Sequence, residues 1–319
     1  MKDVAREAGV ALGTVSKVFN DIPVGADYRR RVEEAAKRLG YQVNSYARGL
    51  KTNRTCSAAL ILPNVTDPFF SALAQEVCQA LAIRQYKTIL SLTDFDPETE
   101  QRCIRMVQQN KVDGIIGLTY NPDLEIAPHL PYVSIDRYFS GVPCVSSDNF
   151  SGGQLAAEKL LELGCKKPLF LRIGSKVPGE SDKRGDGFES VLRQKKIPCV
   201  SLRLSDEEGY EPFRDFLSSH IEDGRPAFDG IFCVNDALAI RIRAFLLELG
   251  LRVPEDVQLI GFDGIRRFAS TDYHCSTIVQ PIARLAETSV ELLLREDRSN
   301  LPSLVCLPVA YAAGGTTRV

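Results

Sequence analysis

Apolar positions in residues 1–40 recur at helical spacing and are interrupted twice. Val4, Ala5 and Ala8 share one face of a short helix over 3–8, which Gly9 stops by offering the left-handed conformation. Residues 12–19 resume the period, with Val15, Val18 and Phe19 on one side, until Asn20, Asp21, Ile22 and Pro23 break it. A third helix is expected over 28–39, with Val32, Ala35, Ala36 and Leu39 inward, Arg29, Arg30, Lys37 and Arg38 outward, and Gly40 at its end. From residue 58 the pattern changes. Short apolar runs read as strands: AALIL at 58–62, TILSL at 88–92, GIIGL at 114–118, YVSI at 132–135, CVSS at 144–147, LFLRI at 169–173, IFCV at 231–234 and VQLIGF at 257–262. Helical patterns fall at 69–84, 97–110, 150–163 and 236–249. Strands alternating with helices predict the α/β class, with parallel sheets covered on both faces. Two such units predict two subdomains, with a cleft beyond the carboxyl ends of their strands.

A chain of 319 residues favours two or three domains. Its 44% hydrophobic and 25% charged residues exclude collagen-like and wholly disordered classes. No apolar run reaches the roughly 20 residues of a membrane span, and MKDVAREAGV is not a secretory signal, so no membrane partner is expected. Nine cysteines occur without a CxxC pair. They read as reduced, mostly buried thiols of a cytosolic, cytoplasmic protein, with no metal site and no cofactor. The net charge of −2 conceals an asymmetry. Residues 1–55 hold eleven Lys/Arg against six acids, a net of +5, and the remainder is therefore at −7. A small basic head on an acidic body suggests that the head meets a polyanion.

The head has the helix-turn-helix plan, in which the second short helix enters the DNA major groove and offers its N-terminal residues to base edges. Here those are Leu12, Gly13, Thr14, Ser16 and Lys17, with Asn20 at the far end. Thr14 and Ser16 bond phosphates or bases, and Lys17 suits the acceptors of guanine. At this point a resemblance becomes specific. DVAREAGVALGTVSKVFN, RRRVEEAAKRLGY and NSYARGLKTNRT resemble the headpiece and hinge of the LacI/GalR family of bacterial transcription regulators. The likeness continues in order through NVTDPFF at 64–70, VSIDR at 133–137, VSSDN at 145–149, RGDGF at 184–188, VNDALA at 234–239, VPEDVQLIGFDG at 253–264 and STIVQP at 276–281.

The resemblance implies a headpiece over 1–43, a hinge over 44–55 and a periplasmic-binding-protein-like core over 56–319. The core's N-subdomain would be 56–148 plus 279–306, and its C-subdomain 149–278 plus 307–319. Residues 44–51 would form a hinge helix too short to stand alone and weakened by Gly49. It would order when two copies pack on DNA, where Leu50 wedges into the minor groove beside Arg48 and Lys51. The chain also departs from the family. Members carry residues before the KDVA segment that cap the first helix, so that contact is absent here or the true start lies upstream. Ala11 and Gly25 stand where serines commonly cap helices, and the tail VAYAAGGTTRV departs from the family at the position where an arginine is often found.

Polar residues cluster where a cleft should be lined. Asp136, Asp263, Asn235 and Asp236 follow strands, Arg184 opens one helix, and Phe69 and Phe70 open another. Carboxylates, a forked guanidinium and an amide bond vicinal hydroxyls, while a ring covers an apolar sugar face. The resemblance supports Phe69, Asp136, Arg184, Asn235 and Asp263 as effector contacts, with Asp67 a weaker candidate and one of Phe69 and Phe70 expected to touch ligand. Asp236 has the alternative of capping the following helix. GxGxxG after a strand, GxxxxGK[ST], GxSxG and HExxH are all missing. The expectation is therefore a homodimeric repressor, not an enzyme. Its partners would be palindromic double-stranded operator DNA and a small-molecule effector, a sugar or sugar derivative. A ligand-binding module or a sugar-processing enzyme without operator binding is the alternative.

Overall fold

The computed structural model describes residues 1–19, 22–41, 54–121, 123–138, 141–265 and 275–318. Asn20, Arg48, Leu50 and Lys51, and with them the expected hinge helix, lie outside the described residues. The chain divides into two units, 1–55 and 56–319.

The first unit holds α1 (Lys2–Ala8), α2 (Leu12–Phe19) and α3 (Ala26–Arg38), the last beginning two residues earlier than its apolar pattern. Val4, Ala5, Ala8, Val15, Val18, Val32, Ala35 and Ala36 form its core, and the ring of Phe19 lies 5.5 Å from that of Tyr41. Gly9 adopts φ 62°, and a Cβ there would meet the Arg31 guanidinium at 2.8 Å. Arg31 uses that space to donate to the carbonyls of Ala8 (2.6 Å) and Gly9 (3.0 Å). The orphan acceptors at the end of α1 are thus satisfied from α3, which fixes the turn that aims α2.

In the second unit a six-stranded parallel sheet is built from β1 (Ser57–Leu62), β2 (Lys87–Leu92), β3 (Gly114–Gly117), β4 (Tyr132–Ile135) and β5 (Cys144–Ser147). Its sixth strand is β13 (Leu304–Leu307), and the order is β13-β5-β4-β3-β1-β2. Helices α4 (Pro68–Ile83) and α10 (Ile282–Leu294) cover one face, and α5 (Pro97–Gln109) covers the other. The alternation along β1 shows why both faces are apolar. Ala58, Leu60 and Leu62 pack towards α4 and α10, while Ala59 and Ile61 pack against Ile104 and Val107 of α5.

The second sheet contains β6 (Pro168–Gly174), β7 (Val200–Ser205), β10 (Gly230–Cys233), β11 (Gln258–Asp263), β12 (Ser276–Val279) and β14 (Ala310–Ala312). Its order is β14-β12-β11-β10-β6-β7, with only β14 antiparallel. Phe170, Phe188, Phe232 and Phe262 stack through its core at centroid separations of 5.2–6.5 Å. Helices α6 (Asn149–Glu162), α7 (Lys183–Gln194), α8 (Glu211–Ser219) and α9 (Asp236–Glu248) complete this half, with a small ribbon of β8 (Ile221–Glu222) and β9 (Arg225–Pro226). Strands β7 and β12 to β14, helices α7, α8 and α10, and the ribbon had no reading in the apolar pattern, though Arg184 was read as opening a helix.

The chain passes between the halves three times: after β5, between β12 and α10, and between β13 and β14. Val279 pairs in the second sheet and Leu307 in the first, so each lies one residue across the boundary expected from the sequence. All nine cysteines are free thiols, but only Cys144, Cys165, Cys233 and Cys275 are buried, fewer than expected. No helix among the described residues is long and apolar enough to cross a membrane, and they contain no cluster suited to a metal ion.

Candidate functional site

In the headpiece, the buried Val15 and Val18 turn one side of α2 into the core. This leaves Leu12, Gly13 and Lys17 exposed, with Thr14 and Ser16 half-buried beside them. A Cβ on Gly13 would meet nothing within 4 Å. The five described candidates for DNA contact therefore share the free side of α2. The outward cations of α1 and α3 are less available. Arg30 bonds Asp27 at 2.9 Å, Arg38 approaches Glu7 at 3.3 Å and Arg6 bonds Asp3 at 3.2 Å.

The core unit contains a cavity of about 420 Å³ between the carboxyl ends of the two sheets. All seven effector candidates, Asp67, Phe69, Phe70, Asp136, Arg184, Asn235 and Asp263, lie on its wall. The first half supplies an aromatic shelf. Phe69, Phe70, Phe95 and Tyr120 follow one another at 5.8, 6.3 and 5.0 Å, and the Arg137 guanidinium lies 5.3 Å from the Tyr120 centroid. Both Phe69 and Phe70 reach the wall. The second half supplies most of the polar groups.

Arg184 is the centre of these. It is buried, lies 3.7 Å over the Phe262 ring, and donates to Asn149 Oδ1 (2.7 Å), the Val234 carbonyl (2.7 Å) and Asp263 Oδ1 (3.3 Å). Its placement follows from small residues. A Cβ on Gly153 of α6 would run into the Arg184 carbonyl, and one on Gly187 of α7 into the Phe150 carbonyl, so only glycine lets α6 and α7 approach this closely.

Two buried chains of hydrogen bonds leave Arg184. One runs through Asn149, whose amide donates to Ser146 Oγ (3.3 Å), and Ser146 donates to Asp136 Oδ1 (2.8 Å). The other runs through Asp263, which accepts from Gln280 Nε2 (2.7 Å), while Gln280 Oε1 accepts from Ser147 Oγ (2.7 Å). Ser147 and Gln280 sit on two of the three passages between halves. The wall carboxylates on both sides are thus tied to the segments that join the halves.

Asp136 has φ 53° and Asp263 φ 115°. A non-glycine backbone in these regions persists where surrounding bonds over-determine it, as the Gln280 contacts do for Asp263. Burial raises the carboxyl pKa of Asp263 well above its ordinary value and that of Asp136 in the same direction, with Arg184 opposing both. Asp236, pushed up to about 6 by burial, does not cap α9 with its side chain. Its Oδ2 accepts from Gly264 N (3.0 Å) and Ile265 N (2.9 Å), whereas Asn235 Oδ1 accepts from Leu238 N (2.8 Å) as the cap. Asp67 likewise caps α4 by accepting from Phe69 N (2.8 Å).

Sequence reading missed several wall residues. Phe95, Tyr120 and Arg137 follow strands that were read, so the strand-end rule applied more widely would have found them. Asp206 and Tyr210 follow β7, which had no signal. Asn149 and Gln280 stand behind the wall.

Residues 1–44 match the family model described as bacterial regulatory proteins, lacI family. Residues 55–293 match that of periplasmic binding proteins and the sugar binding domain of the LacI family. The chain belongs to the LacI family. The ribose operon repressor of Halalkalibacterium halodurans is 33% identical over 302 residues, covering 93% of this chain and 89% of the relative. The sucrose operon repressor of Pediococcus pentosaceus is 32% identical, covering 99% and 98%. A periplasmic binding protein/LacI transcriptional regulator from Alkaliphilus metalliredigens, solved with D-xylulofuranose, superposes with a TM-score of 0.72 at 28% identity, over 82% of this chain and 99% of that one. This LacI-family chain is a DNA-binding transcriptional regulator with an effector-binding core, not an enzyme.

Proposed function

We propose that the chain is a cytoplasmic, homodimeric operon repressor whose grip on a twofold-symmetric operator is set by a sugar held between the core subdomains. Leu12, Gly13, Thr14, Ser16 and Lys17 read the major groove, with Asn20 and the hinge residues Arg48, Leu50 and Lys51 completing the contact. Asp67, Phe69, Phe70, Asp136, Arg184, Asn235 and Asp263 hold the sugar. Subdomains divided after residues 148, 279 and 307 close on it. The observation that carries this reading is the pair of buried hydrogen-bond chains from Arg184, because they join both walls to the passages between them. The shelf of rings faces the C–H side of a sugar and the carboxylates its hydroxyls. The sugar and operon names of the relatives agree in chemistry.

An effector shifts DNA affinity only through its preference for one arrangement of the halves, and such couplings are typically about 1–3 kcal/mol and reciprocal. The test is selection of duplexes from a random pool by the full-length chain, followed by binding at rising salt. A twofold-symmetric consensus, a steep loss of affinity with salt and loss of that consensus in Lys17→Ala are expected. Enrichment of no symmetric sequence refutes the assignment.

A further inference from the structure

The charge balance of the cavity says what kind of effector it accepts. Among the described residues its wall carries five carboxylates, Asp67, Asp136, Glu180, Asp206 and Asp263, and three guanidiniums, Arg137, Arg172 and Arg184. The guanidiniums are largely committed. Arg172 spends Nε on Asp182 (2.9 Å), Nη1 on the carbonyls of Gly174 (3.2 Å) and Leu204 (3.1 Å), and Nη2 on that of Ser175 (2.8 Å). Arg137 donates to the Pro178 carbonyl at 2.6 Å and the Val177 carbonyl at 3.5 Å. Arg184 is engaged through Nε and Nη1 with Asn149, Val234 and Asp263.

Anions also bind at helix N-termini, but two that face the cavity are filled, by Asp67 at α4 and Asn235 at α9. Glu180 pairs with Lys183 at 2.7 Å and Asp263 with Arg184 at 3.3 Å, while among the described residues no ion pair engages Asp67, Asp136 or Asp206. Burial raises the carboxyls of Asp67, Asp136, Asp206 and Asp263 above their ordinary values, and the opposing pull of Arg184 or Arg172 does not cancel it.

We infer that the effector is an uncharged polyol, an unphosphorylated sugar, and that Asp67, Asp136, Asp206 and Asp263 turn away phosphate esters and sugar acids. This rests on the regulator reading above and specifies its ligand. A neutral sugar offers hydroxyl donors to these acceptors, whereas a phosphate would sit desolvated among like charges. Such juxtaposition discriminates by orders of magnitude. Asp206 is the residue to probe, because no described hydrogen bond employs its carboxylate in the fold.

The experiment is calorimetric titration of the full-length chain with D-ribose, D-glucose, D-fructose and sucrose. Each is paired with a phosphate ester: ribose 5-phosphate, glucose 6-phosphate, fructose 1-phosphate and sucrose 6-phosphate. A neutral member is expected to bind with an affinity unchanged between about 50 and 500 mM NaCl, since screening leaves an uncharged ligand unaffected. Its ester should bind at least ~100-fold more weakly, with the gap narrowing in Asp206→Asn. An ester that binds as tightly as its parent, or binding by no neutral sugar in a preparation that retains operator affinity, overturns the inference. Neutral-sugar binding by a chain that selects no operator leaves it standing and removes the regulator reading instead.

Discussion

Removing the Arg184 side chain, as in Arg184→Met, should cost the core about 3–5 kcal/mol. Asp263 lies in the interior beside it, with Arg184 as its only cationic hydrogen-bond partner among the described residues. Breaking a buried ion pair from one side leaves the other charge uncompensated, and that is the usual size of the penalty. The Val234 carbonyl and Asn149 Oδ1 lose donors as well, and the contact with Phe262 disappears, but such losses overlap and do not simply add. The chain has no tryptophan, so urea unfolding is followed by circular dichroism. The double variant Arg184→Met with Asp263→Asn, which has neither charge, should recover much of the deficit.

The pH dependence gives a second readout. The Asp263 carboxyl already sits well above its ordinary pKa because of burial, and losing Arg184 removes the main group that opposes this, ahead of Gln280. A carboxyl raised in the folded state contributes stability at low pH that is lost as pH rises through the folded pKa. Arg184→Met should therefore be closer to wild type at pH 5 than at pH 7. A loss below about 1 kcal/mol at pH 7, or a double variant no better than the single, would refute the paired-charge reasoning.

Three further outcomes are expected. Asp236→Asn should flatten a pH dependence: the wild-type carboxyl, raised to about 6, favours folding when protonated, so wild-type stability should fall relative to the variant between about pH 4 and 6 in parallel urea titrations. Gly153→Ala drives a methyl into the Arg184 carbonyl, so denaturant midpoints should show a loss of about 1–3 kcal/mol and the effector response should weaken. Ala11→Ser adds an acceptor where α2 begins without one, and a gain of about 1 kcal/mol should slow hydrogen exchange of the α2 amides roughly fivefold.

The sequence was most readable where one face of an element is apolar and its ends are marked. Strands β1, β4, β5 and β11 are buried almost throughout and stood out as unbroken apolar runs. Strand β7, VSLRLS, escaped because it is an edge strand with four of its six residues not buried. Helix α10 lacks a side-chain cap, and β13 and β14 are short edge strands. The wall residues were legible because an α/β cleft takes its polar groups from strand ends. Asn149 and Gln280 were not, since their importance depends on a partner far away in sequence: Arg184 for one, Ser147 for the other. Asp236 was misjudged because Asn235 competes for the same cap and wins it.

The threefold passage of the chain between its halves constrains biosynthesis. The first sheet waits for α10 and β13, and the second for β12 and β14, all of them encoded after residue 275. A ribosome must therefore emit the chain past residue 304 before either sheet has its full complement of strands, and the nascent chain carries unpaired edges until then. The segment that follows β14 acts as a clasp. Thr316 bonds the Leu259 carbonyl at 2.7 Å, and Thr317 bonds Ser276 at 2.6 Å. Messages truncated ahead of residue 304 should yield aggregates, not a smaller working regulator.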